Sequence, residues 1–216
     1  LGDESALELA RAGEQIIPGI RAWAESRGED VWLVEGGMLE VSAAPAQDAA
    51  VEKAAAAAAR VGRPDQIVPL TPDEVARRVR SPVFRAGAFY PECATVHPGL
   101  LVRALRRAEL DAGVTLHEGT PVTGVRAGSP NELETPGGIL RAPEVVLATN
   151  AALTGWKPAS RNLTNFGSYV VLTEPAPAAL AEIRWTGGEA LVDGRMFLHY
   201  FRTTNDGRVL MGSGSG

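Results

Sequence analysis

The chain has 216 residues and a formal net charge of −5, with 45% hydrophobic and 22% charged residues. This composition is typical of an ordinary globular protein. No Lys/Arg cluster could neutralise a row of phosphates, which argues against nucleic acid as a partner. The sequence has no apolar run of the roughly 18 residues that a membrane span needs and no basic leader followed by an apolar stretch, so we predict a cytoplasmic protein with no membrane association. One cysteine, Cys93, excludes an internal disulfide framework, and three scattered histidines argue against a metal site.

The first 61 residues predict two helices separated by a β-rich segment. Residues 4–27 have a patchy apolar face that favours a helix, with Pro18 as a candidate kink and Gly28 as a stop. Residues 31–42 form two short β-rich runs around a Gly-Gly pair, which indicates a hairpin or a bulged bend. Residues 47–61 are rich in alanine and predict a helix from propensity alone.

A second pair of helices is predicted between residues 71 and 113. Thr71, followed by Pro72 and then Glu74, has the pattern of a capping box, so a short helix is expected over 72–80. Residues 84–99 predict an irregular segment, and the apolar spacing of residues 98–112 predicts a helix that ends at Gly113.

The pattern then changes to short β-runs. Predicted strands are 114–117, 121–126, 132–135, 139–141, 145–148, 169–172, 190–193, 196–202 and 209–212, with a short helix over 178–183. The wholly apolar run 145–148 is of the type buried on both faces of a parallel sheet. The Asn205-Asp206-Gly207 sequence indicates a type I′ hairpin turn between the last two strands. The fold class is therefore α/β, a mixed α+β arrangement.

The strand before that turn has the most chemically interesting side chains of the chain. Strand alternation sends His199 and Phe201 to one face and Tyr200 and Arg202 to the other, so either pair could face a ligand but not all four. Arg202 with Tyr200 would suit a carboxylate, because a guanidinium donates two parallel hydrogen bonds. The alternative is an Arg202 paired with a surface acid. His199 could accept a proton from a substrate ammonium.

Several segments, taken in order, resemble FAD-dependent amine and amino-acid oxidoreductases of the D-amino-acid oxidase superfamily. They are 86–90 (AGAFY), 95–98 (TVHP), 112–114 (AGV), 121–125 (PVTGV), 135–138 (TPGG), 144–150 (EVVLATN), 168–175 and the final hairpin. Within the superfamily the sequence most resembles gamma-glutamylputrescine oxidoreductase and its glycine/sarcosine-oxidase-like relatives. The likeness covers nearly the whole chain.

This resemblance implies an FAD cofactor and oxidation of an amine or amino acid at its CH–NH bond. The imine product is then hydrolysed, and O₂ commonly reoxidises the flavin. It also implies that residues 1–30 and 97–155 form part of an FAD-binding domain. Residues 31–96 and 156–216 would form a substrate domain on a mixed, largely antiparallel sheet.

The resemblance assigns roles to the candidate site residues. Tyr200, Arg202 and His199 become the catalytic-site candidates on the substrate side. Val122 occupies the position where the family holds the adenine with a strand backbone. Ala148, Thr149 and Asn150 occupy a strand end that approaches the phosphates and ribose of the cofactor.

The chain lacks the Gly-x-Gly-x-x-Gly loop with which family members begin, where a helix N-terminus holds the FAD pyrophosphate. It also lacks a further flavin-contacting segment at its end, so an internal segment of a longer protein is expected. The alternative function is a non-catalytic interaction module that binds no FAD as isolated. A nicotinamide-linked dehydrogenase is a weaker alternative, since no nucleotide loop is present.

Overall fold

The computed structural model describes residues 2–214, which divide into two compact units. One unit comprises residues up to 105 together with those from 167 onward, and the other comprises residues 106–166. The helices are α1 (Asp3–Glu14), α2 (Ile16–Arg27), α3 (Pro45–Arg60), α4 (Pro72–Arg78), α5 (Pro98–Asp111), α6 (Lys157–Ser160) and α7 (Pro177–Glu182). The strands are β1 (Met38–Val41), β2 (Val68–Leu70), β3 (Gly87–Tyr90), β4 (Gly124–Arg126), β5 (Asn131–Thr135), β6 (Gly138–Ala142), β7 (Ser168–Leu172), β8 (Ala190–Asp193), β9 (His199–Thr203) and β10 (Val209–Gly214).

The larger unit is organised around a seven-stranded sheet in the order β2-β3-β1-β8-β9-β10-β7. Its neighbouring strands are antiparallel except for the β1–β8 pair, which is parallel. The predicted mixed, largely antiparallel sheet is therefore confirmed. No helix in the described residues is long and apolar enough to cross a membrane.

One face of this sheet is covered by helices and contains the main core. Leu39, Val41 and Leu191 on the strands pack against Val75 of α4 and Leu180 of α7, and all five side chains are buried. Leu39 is fully buried, and burial of an aliphatic side chain of this size stabilises a fold by about 1.5–3 kcal/mol. The opposite face of the sheet carries the other half of each alternating strand.

The predicted helix over residues 4–27 is confirmed as helical but is interrupted at Gln15, not at Pro18. Proline lacks an N–H and its ring clashes with the carbonyl four residues earlier, which here belongs to Glu14. The α-helical ladder therefore ends at Glu14, and Pro18 lies in the first turn of α2, where its N–H is not needed. Gly28 ends α2 in the left-handed conformation, as predicted.

The capping box predicted at α4 is present. The Glu74 backbone N–H donates to Thr71 Oγ1 at 3.4 Å, and the Thr71 backbone N–H donates to Glu74 Oε2 at 2.8 Å. The α3 and α5 helices also confirm their predictions within two residues at each end. His97 caps α5, because its Nδ1 accepts the Leu100 backbone N–H at 3.2 Å.

Replacing Thr71 with alanine should lower the free energy of unfolding by about 1 kcal/mol, because a helix N–H loses its acceptor. Urea denaturation of the wild type and T71A measures the change. T71S keeps the hydroxyl and serves as the control, so a T71S loss as large as that of T71A would contradict the capping role.

The hairpin or bulged bend predicted over residues 31–42 is wrong. Only β1 is a strand there, and both of its edges are occupied by distant partners, β3 and β8. Residues 31–34 consequently have no edge of β1 to pair with, and Val34 instead forms an isolated bridge to Thr95. Gly37 has φ +74° and turns the chain into β1. The segment 84–99, predicted to be irregular, contains β3.

The smaller unit contains a three-stranded antiparallel meander, β4-β5-β6, as predicted for residues 132–141. Two other predictions in this unit are wrong, and a third is confirmed only in part. Residues 114–117 form no strand, 121–126 is a strand only from Gly124, and the apolar run 145–148 is not a strand. Residues 145–148 pair with no strand in the described part of this unit, and Val146 is 89% exposed and not buried on both faces of a sheet.

The predicted hairpin near the end of the chain is confirmed as the β9–β10 pair, but its turn differs from the prediction. Strand β9 begins at His199 and not at residue 196. Gly207 alone has a positive φ in the turn, +77°, whereas a type I′ turn needs positive φ at two central residues. The Thr204 backbone N–H donates to Arg208 O at 3.0 Å, so the loop is longer and a single left-handed glycine closes it.

Candidate functional site

The face of the large sheet opposite this core, called the open face below, carries a row of residues that runs across five strands. Register places them side by side in the order Glu40, Val192, Tyr200, Gly212 and Val170. Residues paired directly across strands project to the same face. Arg202 lies two residues along β9 from Tyr200 and shares that face. The structure thus brings Tyr200 and Arg202 together on the face opposite the core.

Tyr200 is held in place by its neighbours on β7 and β10. Its hydroxyl lies 2.5 Å from Ser168 Oγ, within hydrogen-bond distance. Its ring lies directly over Gly212, where any Cβ would collide with the ring atoms. Glycine at position 212 therefore leaves room for the ring. The phenol is held over β10, beside Ser168 of β7.

Arg202 has a half-buried side chain and no recorded hydrogen bond or ion pair with any residue in the range 2–214. The alternative prediction, an arginine paired with a surface acid, finds no partner in that range. A half-buried guanidinium without a counter-ion is unfavourable unless a ligand supplies the anion. The Tyr200–Arg202 face can accordingly receive a carboxylate by charge-assisted hydrogen bonds.

His199 projects to the other face of β9, as alternation predicts, and is engaged by Asp193 of β8. The His199 backbone N–H donates to Asp193 Oδ1 at 2.9 Å, and His199 Nδ1 lies 2.7 Å from Asp193 Oδ2. The Phe201 ring lies beside the imidazole, with ring centroids 6.3 Å apart and the ring planes tilted by 40°. This arrangement links β8 to β9, and the catalytic role predicted for His199 stays a prediction.

The Asp193 carboxyl responds to two opposing influences. Burial favours its neutral form, but the hydrogen bonds from the His199 side chain, the His199 backbone and the Arg195 backbone favour the charged form. The net effect lowers the pKa of Asp193 below its ordinary value.

Because the pKa of Asp193 is lowered on folding, its ionised form stabilises the protein above the unfolded pKa of about 3.9. This stability is lost as pH falls below that value. Replacing Asp193 with asparagine should cost about 1–2 kcal/mol at neutral pH, since hydrogen bonds to a charged acceptor are weakened. Urea denaturation of wild type and D193N should show the difference shrinking on acidification. A difference that stays constant with pH would contradict the assignment.

Two residues that the sequence analysis did not select also lie on the open face. The Tyr90 hydroxyl donates to Glu40 Oε2 at 2.7 Å, and burial together with the adjacent Glu40 carboxylate raises the pKa of Tyr90 well above its ordinary value. The phenol therefore stays protonated and acts as a donor. The sequence contained a signal that could have identified Glu40 as a candidate: it is the one charged residue of the otherwise apolar Met38–Val41 strand.

The cofactor candidates lie in the smaller unit, which contains a cavity of about 340 Å³. Val122 and Thr149 line this cavity together with apolar side chains that include Leu147, Leu153 and Trp156. Ala148 and Asn150 are exposed and are not among its lining residues, and Asn150 has φ +47° at the start of a 3₁₀ turn. The structure thus places two of the four cofactor candidates, Val122 and Thr149, at one cavity.

The backbone of Val122 has no recorded hydrogen bond with any residue between 2 and 214. Its neighbour Thr123, by contrast, donates its N–H to Glu134 O at 2.8 Å. A backbone donor and acceptor without partners in the described residues, beside an apolar cavity, fit the edge of a flat heteroaromatic ring such as adenine.

Comparison with known proteins gives a consistent picture. The model of the family described as DAO, FAD dependent oxidoreductase, matches residues 2–216. A probable oxidoreductase, OrdL, from Haemophilus influenzae is 28% identical over 141 residues, which are 62% of this chain and 33% of the relative. The chain therefore spans about a third of the length of that curated relative.

Solved structures share the fold over almost the whole chain. Glycine oxidase from Geobacillus kaustophilus matches 97% of this chain and 56% of its own, with 21% identity and a TM-score of 0.74. L-proline dehydrogenase from P. horikoshii matches 93% of this chain and 54% of its own, with 18% identity and a TM-score of 0.72. At these identities the likeness concerns the fold.

Proposed function

Since the chain belongs to the family of FAD-dependent oxidoreductases, we propose that the protein of which it is part oxidises an amine or amino acid at its CH–NH bond. The substrate loses a hydride equivalent from the amine-bearing carbon and a proton from nitrogen. The resulting imine takes up water and releases ammonia or an amine, leaving a carbonyl product. FAD, when bound, supplies the acceptor for the two electrons.

One observation carries the substrate side of this proposal: the guanidinium of Arg202, which has no partner among the described residues, lies on the same open face as Tyr200. Arg202 binds the carboxylate of an amino-acid substrate, and the Tyr200 phenol donates to the same group. The two contacts orient the substrate, so that its amine-bearing carbon takes a defined position. In this role the phenol oxygen accepts from the Ser168 hydroxyl, which then turns away from the Ser213 carbonyl oxygen, and Gly212 leaves room for the ring.

The smaller unit would hold part of the cofactor. The Val122 backbone would bond the adenine edge, and the apolar cavity beside it would cover the ring face. Thr149 at the cavity wall, with Ala148 and Asn150 next to it, would approach the phosphates and ribose. The assignment of residues 1–30 and 97–155 to an FAD-binding part and of the others to a substrate part belongs to this proposal, as does a cytoplasmic location.

The test uses the full-length, FAD-loaded protein mixed without oxygen with a panel of amino acids, amines and matched 2-hydroxy acids. Loss of the visible flavin absorption with amino acids or amines, and detection of the carbonyl product, is the expected result. Bleaching by hydroxy acids alone, or by none of these compounds, would overturn the proposal.

A further inference from the structure

The open face of the large sheet carries, besides Arg202, a second charged side chain that has no ionic partner in the described part of the chain. Glu40 is half-buried on β1, and no cationic partner for its carboxylate is recorded in residues 2–214. Its hydrogen-bond partner is the neutral Tyr90 phenol, which donates to Oε2. Oε1 is left to accept from another donor, since an ionised carboxylate has about four lone-pair sites.

The surroundings of the Glu40 carboxylate favour binding of a cationic group, because water cannot fully hydrate the carboxylate there. Its neighbour across the sheet, Ala88, is fully buried, so part of the hydration of the carboxylate is excluded. A partly desolvated negative charge without a counter-ion is unfavourable, and an ammonium or guanidinium would offset that cost. Tyr90 fixes the orientation of the carboxylate, which lowers the entropy lost on binding.

The position of Glu40 relative to Arg202 suggests one elongated ligand. Glu40 and Tyr200 are separated by a single strand, β8, so their Cα atoms lie about 10 Å apart. Arg202 is two residues further along β9, which gives a Cα separation of about 12 Å from Glu40. The residue between Glu40 and Tyr200 is Val192, which offers an apolar floor for a methylene chain.

We propose that Glu40, oriented by Tyr90, binds a second cationic group of the substrate, at the far end from the carboxylate held by Arg202. This inference rests on the proposed function and specifies its substrate class: an amino acid or amino carboxylate with a distal ammonium or guanidinium. Glu40 is a specificity-determining residue in this assignment, and the redox step remains that of the proposed function.

The experiment is calorimetric binding to the FAD-loaded, full-length protein without oxygen, using hexanoate, ε-aminohexanoate and hexylammonium. Wild type is expected to bind ε-aminohexanoate about tenfold or more tightly than hexanoate, the effect of one charge-assisted contact. In E40Q this preference should disappear while hexanoate binding stays unchanged. The amide oxygen of E40Q can still accept from Tyr90, so the fold is retained. E52Q, on the exposed face of α3, is the matched control and should keep the preference.

The outcomes distinguish the role of Glu40 from the proposed carboxylate site. Equal binding of hexanoate and ε-aminohexanoate by wild type, or a preference that survives in E40Q, would overturn the role of Glu40. Hexylammonium binding that E40Q weakens but R202A does not would support Glu40 independently of the carboxylate clamp. Hexanoate binding that R202A leaves unchanged would instead contradict the proposed carboxylate site. If none of the three ligands binds, both assignments fall.

Discussion

Replacing Arg202 with alanine in the FAD-loaded, full-length protein is expected to raise KM for an amino-acid substrate by about a hundredfold. Two charge-assisted hydrogen bonds to a carboxylate are lost, which corresponds to about 3 kcal/mol. The contact orients the substrate as well as binding it, so a smaller fall in kcat should accompany the rise in KM. Steady-state kinetics with one amino acid and with the corresponding amine, which lacks the carboxylate, measures the effect.

The amine serves as an internal control, since it has no group for Arg202 to bind and its kinetic constants should change little. R202K should recover part of the affinity, because it restores the charge without the two-pronged geometry. R103A removes an exposed arginine of α5 and should behave as wild type. The thermal midpoint of R202A should stay within a few degrees of wild type, because the guanidinium forms no hydrogen bond or ion pair with residues 2–214 and only packing of the half-buried side chain is lost. A KM that rises equally for the acid and the amine would contradict the carboxylate assignment.

Replacing Gly212 with alanine should both destabilise the fold and weaken carboxylate binding. The added methyl would occupy the space of the Tyr200 ring, and relief requires the ring to move off the sheet and give up its bond to Ser168. Overpacking of this kind costs about 1–3 kcal/mol. Displacement of the phenol should raise the dissociation constant of a carboxylate ligand about tenfold, the effect of one lost hydrogen bond. Urea denaturation and calorimetric titration with hexanoate measure the two effects.

The chain offers a matched control and a way to isolate the cause. A Cβ at Gly194 would meet the Gln47 side chain at 3.5 Å, an ordinary contact, so G194A should be close to neutral. In a Tyr200→Ala background the ring is gone, and G212A should then cost little, which makes the two substitutions strongly non-additive. If G212A destabilises the Y200A background as much as the wild type, the clash with the ring is not the cause.

Local patterns in the sequence predicted the elements whose signals are local. The Thr71 capping box, the glycine stop at Gly28 and the Asp-Gly hairpin signal each depend on residues a few positions apart, and each is found. The predicted type of the hairpin turn was wrong because the Asp206-Gly207 sequence is compatible with more than one loop length. The loop length is set by the register in which β9 pairs with β10.

The failures share a different cause. Residues 31–34 and 145–148 have strand-like composition, but a strand forms only where a partner edge is free. The edges of β1 are taken by β3 and β8, which are distant in sequence, and residues 145–148 have no partner among the described residues of their unit. Composition reports that a segment is apolar, whereas pairing decides whether it becomes a strand.

For the candidate site, the sequence by itself determined that Tyr200 and Arg202 share one face of their strand and that His199 lies on the other. That result follows from the two-residue period of an extended chain, which is a local property. Only the tertiary structure decided which face α4 and α7 cover, and it left Arg202 without a partner within residues 2–214. It also placed Tyr200 over Gly212 and put Glu40 and Tyr90 on the same surface. These features depend on β1 joining β8 in parallel and on β7 joining β10, pairings between segments far apart in the chain. No local periodicity specifies them, because they are set by the burial of one whole sheet face against its helices.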